Sequence, residues 1–350
     1  MKRTVSWLAI GGAMLGLAGA ARAAEGYVLQ AGHPSLSVWR LPERAPAPDD
    51  NKWSEQKAEL GKKLFFDPRL SGTGQVTCAS CHMPERGWED GLPTAVRFGG
   101  KVMPVAAPTL VNIGYNSIFM WDGRMPSLEK QAFVGQGKPA DLNAMSAVEP
   151  EVVIARLNGV QGYRSAFEQT FPGEGLTRET VAKAIASFER TIVSNDSPFD
   201  RWVRGDASAM SAQQVRGFGV FVGKGNCASC HAAPNFTDNG FHNIGLKSYA
   251  EADHPRGRYA QRPIKLMDGA FKTPTLRDIA LRAPYFHDGS AKTLMEVVEH
   301  YDRGGDVKTN LSPDMHPLQL SRQEKDDLVQ FLLALTSPHK PFVYPVLAAD

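Results

Sequence analysis

"CASCH" stands at residues 78–82 and again at 227–231, and the two copies use every cysteine in the chain. C-x-x-C-H is the spacing that attaches haem c. Each thiol can add to one haem vinyl group, while the histidine that follows reaches the iron. On this reading Cys78 and Cys81 anchor one haem with His82 as ligand, and Cys227 and Cys230 anchor a second with His231. Two other chemistries use paired cysteines. A single four-cysteine zinc site leaves the histidine after each pair without a purpose, and a thioredoxin-like pair wants a strand-to-helix setting. The residues before the two motifs, "SEQKAELGKKLFF" and "SAQQVRGFGVFVG", are helix-like instead. No cysteine is left for a disulfide.

A second residue raises the same chemistry. In "TLMEVVEHYDRGG", residues 293–305, Thr293 and Glu296 have the form of a capping box. Leu294, Val297, Val298 and Tyr301 follow on one helical stripe. The phenol oxygen of Tyr301 then needs a partner inside the protein, and an iron atom would serve. A hydrogen bond to a carbonyl is the plain alternative. His300, about 100° round the helix from Tyr301, is the alternative ligand.

The elements that must hold these residues read as helices. "RETVAKAIASFERTIVS" carries Val181, Ile185, Phe188 and Ile192 at helical spacing behind Thr177 as N-cap. "SRQEKDDLVQFLLALT" has a Ser321–Glu324 capping box and a stripe of Leu328, Phe331, Leu332 and Leu335. Between such segments lie Gly- and Pro-rich stretches, 84–126 and 232–290, long enough to wrap large cofactors. "CASCHMPERGWEDG" and "CASCHAAPNFTDNG" are a short internal repeat. The fold is expected to be mainly α: two cytochrome c-like domains, each with one covalently bound haem c, covering residues 24–200 and 201–350. The break falls in the polar, turn-rich stretch 194–210.

Residues 1–23 have the basic start, short apolar run and small-x-small end of a secretory signal peptide. The alternative, an uncleaved anchor, has an apolar run shorter than the ~20 residues of a span. The protein is therefore expected to be exported. The formal charge of +2 falls to −1 without Lys2, Arg3 and Arg22, which suggests neither nucleic acid nor an anionic membrane as partner.

"LGKKLFFDPRLSGTGQVTCASCHMP", "APTLVNIGYNSIFMWDGRMPSLEKQA", "GNCASCHAAPNFTDNGFHNIG" and "FKTPTLRDIALRAPYFHDGSAKTLMEVVEHY" together resemble the bacterial di-haem cytochrome c peroxidases and their MauG-type relatives. The likeness runs from about residue 56 to about residue 335. It implies two helical cytochrome c domains facing each other, with peroxide reacting at the first haem and electrons passing through the second. It also implies that Trp121 of "MWDGR" relays electrons between the haems, where a plain core tryptophan is the alternative. Many of the peroxidases have a histidine upstream of "APTL" as sixth ligand of the first haem. "TAVRFGGKVMPVAAPTL" has none, so the first haem is expected to be open to peroxide.

The family's acid–base glutamate is replaced by Asp141, about twenty residues beyond Trp121, with Glu149 as fallback and a helix-capping aspartate as the bland reading. Ala106 stands where the family places an asparagine ligand of an interdomain calcium, which leaves calcium doubtful here. Tyr301 falls where the peroxidases have a methionine ligand and the MauG relatives a tyrosine. Methionine ligation raises a haem potential, whereas a hard phenolate stabilises ferric and higher states. Arg277, Arg282 and His287 are candidate contacts for haem propionates. The implied activity is oxidation by hydrogen peroxide of a protein substrate, through a bis-ferryl-type state. The alternatives are peroxide removal with electrons from a small c-type cytochrome or copper protein, and a non-catalytic electron carrier.

Overall fold

The computed structural model describes residues 26–97, 99–133 and 149–348. The signal-peptide segment up to residue 23 and Asp141 lie outside the described residues. Among those described, the α-helices are α1 (Glu55–Phe65), α2 (Leu128–Gln131), α3 (Pro150–Asn158), α4 (Gln161–Thr170), α5 (Arg178–Glu189), α6 (Pro198–Val203), α7 (Ala212–Val222), α8 (Leu294–Asp302) and α9 (Arg322–Leu333). A two-residue antiparallel pair, β1 (Phe241–His242) and β2 (Phe271–Lys272), joins Phe241 to Lys272 and His242 to Phe271. The rest is short 3₁₀ turns and loop. The mainly α fold expected from the sequence is what forms.

Local chemistry accounts for the helix starts. Thr177, Ser211, Thr293 and Ser321 are N-caps whose oxygens accept from the backbone N–H three residues on, and each has the reciprocal side-chain contact of a capping box. The stripe of Val181, Ile185, Phe188 and Ile192 is buried, as is that of Leu328, Phe331, Leu332 and Leu335. These stripes feed two separate cores. The first packs α1, α4 and α5 around Leu64, Phe65, Tyr163 and Phe167. The second gathers Phe199, Trp202, Phe218, Phe221, Phe236 and Phe331.

The two halves repeat one helix crossing. Helix α1 packs on α5 in the first, and α7 packs on α9 in the second. Both crossings depend on a glycine. A Cβ on Gly61 would overlap the carbonyl of Ala184, and one on Gly217 would overlap the carbonyl of Asp327.

Both ends of the described chain cross over. Leu36 and Trp39 complete the second core, while Phe342 stacks on Phe66 at 5.2 Å and meets the edge of Trp88 at 5.3 Å. Trp88 in turn positions a site histidine, as shown below.

Because backbone, not a flexible side chain, opposes both glycines, Gly61→Ala and Gly217→Ala should each cost about 1–3 kcal/mol or more by forcing the crossing apart. Denaturant unfolding of the purified protein measures this. Midpoints unchanged from wild type would show that these crossings are not close-packed.

Candidate haem sites and the residues between them

Each C-x-x-C-H folds as the same tight turn. Cys78–Ser80 and Cys227–Ser229 are 3₁₀ turns, and the histidine N–H donates back to the first cysteine carbonyl, at 3.1 Å for His82 and 2.9 Å for His231. That closure places two thiols and an imidazole on one side of the turn. Nδ1 of His82 bonds the carbonyl of Trp88 at 3.1 Å, and Nδ1 of His231 bonds the carbonyl of Phe236 at 2.9 Å. A carbonyl only accepts, so Nδ1 carries the proton and Nε2 keeps its lone pair for a metal. Burial pulls the His231 imidazolium down to about 4 and lowers that of His82, so both rings are neutral. Burial pushes the Cys78 and Cys227 thiols up to about 12. None of the four cysteines is in a disulfide.

A cavity lies against the second motif, lined by Cys227, Cys230, His231, Tyr285, Leu294, Val298 and Tyr301. Another lies against the first, lined by His82, Leu110, Ile113, Phe119, Leu128 and Gln131. Their mostly apolar walls, with thiols and an imidazole at one edge, fit a large flat apolar cofactor held by covalent and metal bonds. In the second cavity the question of the tyrosine gains a physical answer. Tyr301 lines the cavity, and its phenol forms no hydrogen bond among the described residues. Burial, together with the Cys230 and Cys227 thiols, raises its pKa. His300 is instead fully occupied: Nε2 bonds the Ile244 carbonyl at 2.9 Å and Nδ1 faces Asp306 at 3.3 Å.

Trp121 borders both cavities. Its indole N–H donates to the Ala106 carbonyl at 3.0 Å, and its own carbonyl accepts from Lys272 N–H at 2.8 Å. Ala106 N–H donates to the His287 carbonyl at 2.8 Å, so backbone from both halves encloses the indole. His287 is buried, stacks on Phe271 at 3.5 Å and lines the second cavity.

The two arginines proposed for propionates part company. Arg277 is 0% exposed, sits 2.8 Å from Asp200 and borders neither cavity, so its charge is already balanced inside the second core. Arg282 borders both cavities, 3.1 Å from Glu89. Glu149 is exposed just before α3 and lines neither cavity.

Sequence reasoning did not single out three ionisable groups at these cavities. Glu89 and Lys272 border both, and Glu189, at the end of α5, lines the first. Burial pushes Glu89 up to about 7 despite Arg282. Glu189 is 3% exposed, its Oε2 has no hydrogen-bond partner, and burial pushes its carboxyl up to about 8. The only signal available for Glu189 was its place on the helix stripe beside Phe188.

Glu189 makes stability depend on pH. Its pKa is about 8 folded against 4.5 in the open chain, so the folded state binds the extra proton between these values. Stability is then highest below about 4.5 and falls as pH rises toward 8. Glu189→Gln cannot ionise and should match wild type in acid, then unfold at higher denaturant as pH rises through that window. A variant that tracks wild type at every pH would show that Glu189 is not buried as a neutral acid.

The comparisons with known proteins agree with this geometry. A family model described as di-haem cytochrome c peroxidase matches residues 55–208, and one described as cytochrome c matches residues 214–336. The chain is 43% identical over 310 residues to the methylamine utilization protein MauG of Methylorubrum extorquens, covering 88% of this chain and 86% of that one. It is 33% identical over 316 residues to cytochrome c551 peroxidase of Pseudomonas aeruginosa, covering 89% and 87%. A crystal structure of a MauG-like protein associated with microbial copper homeostasis superposes with a TM-score of 0.78 at 32% identity, over 85% of this chain and 95% of that one. With two cytochrome c-like halves and a matching relative over most of its length, the chain belongs to the di-haem cytochrome c peroxidase and MauG family and is an oxidoreductase of peroxidase type.

Proposed function

We propose that this chain is a periplasmic, MauG-like peroxidase that uses hydrogen peroxide to oxidise a partner protein at a distance. The observation that carries the reading is the Tyr301 phenol, which faces the cavity of His231 with no hydrogen bond to satisfy it. A phenol on the wall of the cavity that His231 also lines is a donor available to a metal held there. Haem c at each site would supply iron able to take oxidising equivalents from peroxide.

The protein's own residues divide the remaining work. The thiols of Cys78 and Cys81, and of Cys227 and Cys230, would attach the two haems. His82 and His231 would present Nε2 to iron, each held by its carbonyl. Tyr301 would give up its phenolic proton to bind as phenolate at the second site. That hard anionic ligand favours the oxidised states there. The segment before "APTL" offers the first site no histidine, so peroxide can enter it. Asp141, outside the described residues, is the proposed acid–base group that moves a proton between the peroxide oxygens. Trp121, enclosed by backbone between the cavities, would pass electrons, so the partner need never meet peroxide.

The Ala106 carbonyl at the family's calcium position already accepts the Trp121 indole N–H. Calcium is given no role in this mechanism.

A second reading has support in the 33% identity to a cytochrome c551 peroxidase. In it, a small c-type cytochrome or copper protein supplies electrons and peroxide removal is the net result. Tyr301→Phe separates the readings from each other and from a simple carrier. The MauG-like account expects the variant to lose the wild-type low-spin spectrum and its long-lived oxidised state, and the wild type to turn over reduced cytochrome c slowly. An unchanged spectrum and an unchanged oxidised state in the variant would remove Tyr301 from the iron. Fast turnover of reduced cytochrome c by the wild type would favour peroxide removal.

A further inference from the structure

Lys272, on β2, is 7% exposed, and its ammonium makes one hydrogen bond, to the carbonyl of Thr273 at 2.9 Å. No carboxylate among the described residues lies within ion-pair distance of it. Asp238, the acid whose charge reaches it, is hydrogen-bonded to His242 at 2.9 Å and to the Gly240 N–H at 2.7 Å. A buried charge without a partner carries a heavy desolvation penalty, and proteins pair such groups or keep them neutral. Burial pulls this lysine down to about 8, so it holds its full charge only where an anion from outside the polypeptide completes the pair.

Its position says where from. Lys272 lines the cavities of both C-x-x-C-H motifs, and its backbone N–H holds the Trp121 carbonyl between them. Two other charged groups border both cavities, Glu89 and Arg282, and they face each other at 3.1 Å. Arg282 also donates to the carbonyls of Thr275 and Arg277. Lys272 is thus the cation left over at the boundary. The carboxylates that haem c brings to such a boundary are its propionates.

Resting on the two-haem reading above, we propose that Lys272 is the receptor for a haem propionate at the boundary of the two sites, and that its single charge tunes the reduction potentials of both haems. It is a positioning residue. A positive charge favours the electron-rich ferrous state, and inside a protein its influence decays slowly with distance. A lysine bordering both cavities therefore acts on both irons and raises both potentials together.

The test uses the mature holoprotein without peroxide. Wild type, Lys272→Met, Lys272→Gln and Lys272→Arg are compared by haem content, circular dichroism and spectroelectrochemical titration. Neutral pH is used, where the Lys272 ammonium and a released propionate are both ionised. In the neutral variants both midpoint potentials should fall while two haems stay attached, and Lys272→Arg should return both toward wild type. Potentials that do not move, a shift confined to one haem, or failure of arginine to restore them would overturn the proposal. Fewer than two attached haems in the wild type would overturn the two-haem reading itself, and this proposal with it.

Discussion

Trp121 is held in place by hydrogen bonds that come from both halves of the chain, and the remaining architecture is arranged around that constraint. Its indole N–H is fixed to Ala106, its carbonyl is fixed by Lys272, and Ala106 is tied to His287 in the second half. The ring cannot rotate out without losing its indole hydrogen bond to Ala106, and the backbone on either side of it is paired between halves. The two cavities therefore share a wall that is rigid and aromatic. Each half has its own core, and the shared wall is made where the two meet. The crossed-over ends reinforce docking, since Leu36 and Trp39 lie in the second core and Phe342 lies on the first.

The halves are built alike and finished differently. Both use a glycine at the helix crossing and a carbonyl that sets the tautomer of the site histidine. Beyond that shared frame, the first cavity is lined by a buried acid, Glu189, whose Oε2 has no hydrogen-bond partner, and the second by the phenol of Tyr301. Under the proposed function, one site admits peroxide and the other stores oxidising power, and the two would need different surroundings. Repetition supplied the frame, and a few side chains made the two sites unequal.

Much of this was readable in the sequence, because the informative interactions are local. The capping boxes at Thr293 and Ser321 each span three residues, the stripes follow one helix, and C-x-x-C-H is a pentapeptide. The second cavity likewise followed from Tyr301 sharing a face with Leu294 and Val298. What the sequence could not reveal depends on distant partners. Arg277 looked available for a cofactor until the fold placed Asp200 against it, and Arg282 met Glu89 from the other half. Lys272 sits in a two-residue strand with no periodicity, and its significance comes from which cavities it borders and which acids it lacks. The long loops hid the site for the same reason: their order comes from tertiary contacts, not from local preference.

The central claim is that the two sites act as one oxidant reservoir. Adding one equivalent of peroxide to the fully ferric holoprotein, and following the high-spin and low-spin signals by electron paramagnetic resonance, tests it most directly. The account predicts that both signals are lost together. Loss of the high-spin signal alone, with the low-spin signal intact, would contradict it.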